Sequence, residues 1–109
     1  MTGIYIISKH PIFGEGIEEM LRRRGGVEIL GFERDIPKAV DQIVDLHPEI
    51  VVYDCNTDQD EIDAAALQIL KKGVQVKIIG LDIQSNTFFV YKREQHEVQQ
   101  LEDLLKEIE

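Results

Sequence analysis

Ile4-Tyr5-Ile6-Ile7-Ser8-Lys9-His10-Pro11-Ile12-Phe13-Gly14-Glu15-Gly16 changes its apolar period midway, and that change decides the fold. Residues 3–8 read as a short apolar strand of the kind that is covered on both faces. Pro11 then opens a helix, because it lacks the N–H that a first turn leaves unpaired in any case. Phe13, Ile17, Met20 and Leu21 follow at i, i+4, i+7 and i+8, the stripe of an amphipathic helix, and Gly25-Gly26 ends it.

The same alternation repeats outward. Val27 to Phe32 reads as a second strand, Asp35 as the N-cap of a helix carrying Val40, Ile43 and Val44, and His47-Pro48 as its stop. In Pro48-Glu49-Ile50-Val51-Val52-Tyr53-Asp54 a third strand, apolar on both faces, ends in an aspartate. Asp58 with Glu61 forms a capping-box pattern before Ile62, Ala65, Ala66, Ile69 and Leu70, and Gly73 closes that helix. A fourth strand runs from about Val76 to Asp82. Strands alternating with helices predict βαβ units, hence an α/β doubly wound sheet that is mainly parallel.

The alternation breaks after Asp82. Only Ile83-Gln84-Ser85-Asn86 separates it from a second β-rich run, Thr87-Phe88-Phe89-Val90-Tyr91-Lys92. A parallel crossover takes about a dozen residues, whereas a short polar turn makes a hairpin, so strand five is predicted to run antiparallel to strand four. Val98, Leu101, Leu104, Leu105 and Ile108 then outline a last amphipathic helix.

Over roughly residues 1–82, the first strand with its His10-Pro11-Ile12-Phe13 continuation and the Pro48–Asp54 strand resemble the receiver domain of bacterial response regulators. The resemblance implies a flavodoxin-like (CheY-like) sheet of order 2-1-3-4-5, with the family's fourth helix missing from this chain. It also implies a site at the strand ends. In receivers, two adjacent acids after strand one join the aspartate after strand three in holding Mg²⁺, and that aspartate accepts a phosphoryl group. Here Ser8 and Lys9 stand in the acidic pair's positions, Asp54 in the phosphoacceptor's, and Asp82 where the family places a hydroxyl at the end of strand four. The residues after Asp54, Cys55-Asn56-Thr57-Asp58, also depart from the family pattern. Lys92 is the single candidate for the family's lysine at the end of strand five, but an antiparallel strand puts it at the wrong end of the sheet, so its role does not carry over.

These departures point to an atypical pseudo-receiver: a protein-interaction module in signal transduction that works without phosphorylation, is not an enzyme, and takes no cofactor or metal. Two alternatives stay open, a working receiver that still uses Asp54 and a ligand-binding or enzymatic α/β domain. The latter lacks any Gly-rich phosphate loop, nucleophile–base pair or metal cluster in its support. Lys9 is expected either to pair with Asp54 or Asp82, closing the cleft, or to face solvent.

Composition limits the partners. At 109 residues the chain is expected to form one domain, 1–109. Its net charge of −9 repels nucleic acid, and Arg22-Arg23-Arg24 are read as cations complementing a helix end. No apolar run approaches the ~18 residues of a membrane span, and with no secretory pattern at the start the chain is expected in the cytoplasm. The lone Cys55 fits that compartment and is read as structural, and His10, His47 and His96 have no metal-ligand spacing. Phe88, Phe89, Val90 and Tyr91 are too apolar for both faces of an edge hairpin to meet water, which predicts a homodimer or another protein partner there.

Overall fold

The computed structural model describes residues 1–54, 59–73, 75–82, 87–92 and 101–108. Nine elements follow one another among them: β1 (Thr2–Ser8), α1 (Pro11–Arg24), β2 (Val27–Glu33), α2 (Ile36–Leu46), β3 (Ile50–Asp54), α3 (Gln59–Lys71), β4 (Lys77–Asp82), β5 (Thr87–Lys92) and α4 (Leu101–Ile108). The strands form one sheet in the order β2-β1-β3-β4-β5. β1 to β4 run parallel and β5 antiparallel to β4, as the short 83–86 connection requires. The Asp58–Glu61 capping box, Cys55, His96 and Val98 involve residues outside the described ones.

Strand periodicity sorts the core into two layers. Tyr5, Ile7, Val51, Tyr53 and Ile78 face Ala39, Val40 and Ile43 of α2 and Ala65, Ala66 and Ile69 of α3. On the opposite side, Ile4, Ile6 and Val52 meet Ile17 of α1, with Phe13 and Leu21 packed around them. Met20, placed on the buried stripe by its spacing, is instead 63% exposed, because among the described residues nothing beyond Leu81 covers that flank of α1.

β2 is an edge strand and carries an irregularity: Ile4 pairs with Ile29 but Tyr5 with Gly31, so Leu30 is passed over. The bulge places Gly31 under the Tyr5 ring, where a Cβ would come within 2.5 Å of the ring carbons. Tyr5 is fully buried, and its hydroxyl donates to Gln42 Oε1 on α2, tying the first strand to that helix.

Two helix ends correct the sequence reading. Asp35 occupies the N-cap position of α2 but makes no side-chain cap. Pro37 at the second helical position has no N–H to offer it, and the Glu33 carboxylate instead ties up the turn before the helix, accepting the N–H groups of Asp35 and Arg34, bonds that lower its pKa. His47 ends α2 in the left-handed conformation at φ 51, immediately before Pro48. At the end of α1, Arg22 and Arg23 pair with Glu18 and Glu19 one turn back. Among the described residues, no helix is long and apolar enough to cross a membrane.

Two phenols report on this packing. Burial, and secondarily the Glu33 charge, push Tyr5 up to about 12; burial, then the hydrogen bond to Asp63, do the same for Tyr91. A raised folded-state pKa favours the protonated phenol in the fold. The stability it contributes is therefore complete below the free tyrosine value of about 10 and is lost as pH rises through about 12. Ultraviolet titration of tyrosinate in the native chain, with Tyr5→Phe and Tyr91→Phe subtracted in turn, should place both ionisations near 12. An ordinary titration for either residue would mean that its ring is not packed as described.

Candidate functional site

α/β sheets gather ligands at the carboxyl ends of their parallel strands, beside the point where strand order reverses. In this sheet that point lies between β1 and β3, whose last residues, Ser8 and Asp54, are register partners. Both are fully buried. Gly14 allows α1 to close over them, since a Cβ there would fall 2.9 Å from Ser8 Cβ and 2.4 Å from the Phe32 ring.

The Ser8 hydroxyl lies 2.7 Å from Asp54 Oδ2 and 2.9 Å from the His10 carbonyl. It has one proton to give. The carboxylate is the nearer and charged acceptor, and the His10 carbonyl already accepts the Gly14 N–H, so the proton belongs to Asp54. A lone pair of the same oxygen accepts the His10 N–H at 3.3 Å, which folds the strand-to-helix turn around Ser8. Asp54 Oδ1 is buried and has no hydrogen-bond partner among the described residues.

The other sequence-derived residues are less closely gathered. Lys9, the first residue after β1, is exposed. Asp82 sits one residue past Leu81, the register partner of Asp54, and is half-buried. Lys92 pairs with Lys77, level with Ile50. That is four residues down the sheet from Asp54, about 13 Å at 3.3 Å per residue. The antiparallel β5 therefore takes Lys92 out of the site, as its sequence position implied. The hairpin run divides by face: Phe89 and Tyr91 pack against the α2–α3 core, while Phe88 and Val90 are exposed on the α1 side.

The receiver likeness raises Mg²⁺, and these side chains do not fit it. A hard octahedral cation needs several oxygens, with carboxylates to balance its charge. Here, among the described residues at the ends of β1 and β3, one carboxylate is joined by a hydroxyl already committed to it, with Lys9 following where a second acid would stand. No group of three potential metal ligands occurs among the described residues. What sequence reasoning missed is the role of Ser8 as the partner of Asp54. The signal was available: Ser8 and Asp54 are the last residues of two strands that are neighbours in the order 2-1-3-4-5, and that order sets them side by side.

No family model matches the sequence, and no curated protein matches it. Among solved structures, the chain is similar to the signal receiver domain of a protein assigned as the response regulator NarL of Mycobacterium tuberculosis, at 18% identity and a TM-score of 0.66. That match covers 74% of this chain and 65% of the other, so the chain spans just under two thirds of that relative. A second likeness is to the signal receiver domain of a modulated diguanylate cyclase from Desulfovibrio desulfuricans G20, described as an example of alternate folding. It shows 20% identity and a TM-score of 0.59, over 99% of this chain and 74% of that one. Likeness at this identity establishes the fold, which is that of receiver domains with strand five reversed.

Proposed function

We propose that the chain is a pseudo-receiver: a signalling module with the receiver fold whose strand-end cleft no longer takes up a phosphoryl group, and which acts by binding protein, including a second copy of itself. The observation that carries this reading is the Ser8–Asp54 pair. The hydroxyl occupies the position where a receiver's metal-binding acid would stand, and it holds the acceptor carboxylate by a buried 2.7 Å bond. A phosphoryl group arriving at Asp54 would meet a buried carboxylate held by that bond, without an acid pair to hold a cation that neutralises its charge, and near the strand end that carries the half-buried Asp82. The net charge of −9 argues against nucleic acid as the output.

A second reading has one observation in its favour. Asp54 Oδ1 is an acceptor with no partner among the described residues, and a phospho-accepting Asp54 needs a free oxygen. Incubation of the purified chain with acetyl phosphate and Mg²⁺ separates the two. The expected result is an unchanged intact mass, the same as for Asp54→Asn under identical conditions. A phosphoryl mass increase that disappears in Asp54→Asn would establish a working receiver instead.

A further inference from the structure

On the α1 side, the described residues leave the sheet open where β4 and β5 lie. A groove follows α1 along its length. Near the strand ends it widens to a hollow of about 530 Å³ walled by Ile12, Phe13, Gly16, Ile17, Met20 and Leu81. Toward the other end, a hollow of about 300 Å³ is lined by Leu21, Ile50, Ile79 and Arg24, among others. Ile12 is 87% exposed on one rim, and Phe88 and Val90 of β5 are exposed on the same face. Arg24 has no ion pair among the described residues, unlike Arg22 and Arg23.

The same chain carries an element shaped for this groove. In α4, Leu101, Leu104, Leu105 and Ile108 recur at i, i+3, i+4 and i+7, a single apolar stripe with Glu102 and Glu107 off it. Leu105 and Ile108 face solvent, and among the described residues α4 has no extended contact with any other helix or strand. Eight residues make a helix of about 12 Å, short enough to lie along α1, which spans about 21 Å. Its acidic residues suit an end of the groove marked by Arg24.

We infer that α4 of one chain lies in the α1–β4–β5 groove of a second copy, each chain giving its helix to the other around a two-fold axis. The open groove argues for exchange over closure within one chain. A helix tethered by a short segment would meet its own groove at millimolar effective concentration, and so would rest there if it could reach without strain. Instead, among the described residues, none of α4 lines either hollow, and Leu105 and Ile108 stay exposed. Reciprocal exchange covers both unpartnered apolar surfaces at once and closes with two subunits, leaving no free groove to propagate a filament. The inference deepens the self-association proposed above and does not depend on the fate of Asp54.

Complementation between two variants of the full chain tests it. Ile12→Asp with Met20→Asp blocks the groove, and Leu105→Asp with Ile108→Asp blocks the helix. All four positions are exposed within one chain, so the circular dichroism of each variant should match the wild type. In sedimentation equilibrium the wild type should be dimeric. Each variant alone should self-associate roughly a hundred-fold more weakly, because carboxylates replace apolar contacts. A one-to-one mixture should form a heterodimer, since one intact helix meets one intact groove. A monomeric wild type would overturn the inference and place α4 on its own chain or on a different protein. Variants that both stay dimeric would overturn exchange while leaving a hairpin contact through Phe88 and Val90. A mixture no more associated than its components would also overturn it.

Discussion

Replacing Tyr5 by alanine should destabilise the chain by about 3–5 kcal/mol, the usual cost of deleting a large buried ring. The side chain is inaccessible to solvent in the middle of β1, a strand with neighbours on both edges. The ring sits over Gly31, whose missing Cβ leaves the space it occupies, and packs among the side chains that α2 and α3 bring to the sheet. Neither wall can collapse into the void without moving backbone, which places the cost in the upper part of the range. Domains of this size have a total stability of about 5–15 kcal/mol, so the variant should lie close to its unfolding threshold at room temperature. Tyr5→Phe isolates the hydroxyl. It keeps the ring and loses only the bond to Gln42, a change of about 1 kcal/mol. Urea unfolding followed by circular dichroism measures both. A Tyr5→Ala loss below about 1.5 kcal/mol would show that the first strand is not held by this ring, and the packing of β1 against α2 would need another account.

The same region shows why parts of the fold could be read from the chain and others could not. β1 and β3 were legible because a strand covered on both faces must be apolar at consecutive positions, and Ile4–Ile7 and Ile50–Tyr53 are. The reversal of β5 was legible because chain length is a hard constraint: residues 83–86 cannot carry a crossover. Helix caps were less so. Asp35 has the right residue type in the right place but makes no side-chain cap, while Glu33 two residues earlier accepts the N–H groups of the turn ahead of the helix, an arrangement that residue types alone do not announce. Met20 was misread for a different reason. Helical periodicity marks the face that wants burial, and whether anything covers it depends on the neighbouring layer. Exposed Met20 on α1 and exposed Leu105 and Ile108 on α4 each belong to an amphipathic pattern that the sequence shows. Their lack of partners among the described residues is a tertiary fact.

At the site, residue types were legible and their pairing was not, and restoring the acids tests what that pairing means. In Ser8→Asp with Lys9→Asp, two carboxylates enter where one hydroxyl and one ammonium stood. The carboxylate introduced at position 8 would face Asp54 across adjacent, in-register strand ends that are inaccessible to solvent in the wild type. Like charges at that separation disfavour ionisation of both, and the bond from the Ser8 hydroxyl is lost as well. In chelator the double variant should therefore be less stable than the wild type by about 2–3 kcal/mol. A cation binding only the folded chain restores stability as its concentration passes the dissociation constant, by about 2.7 kcal/mol at a hundred-fold excess over that constant. The variant's thermal midpoint should consequently rise with millimolar Mg²⁺, while the wild-type midpoint stays where it is. If the wild type also gains stability in Mg²⁺, the Ser8–Asp54 pair is no barrier to a metal, and the phospho-accepting reading of Asp54 regains its footing. If the variant is destabilised but indifferent to Mg²⁺, the acids alone do not make the site, and the positions of Asp82 and Lys92 become the departures that matter. Asp82→Thr added to the double variant addresses the first of these, because it removes the native carboxyl from the end of β4 while leaving β5, and hence Lys92, where the hairpin holds it.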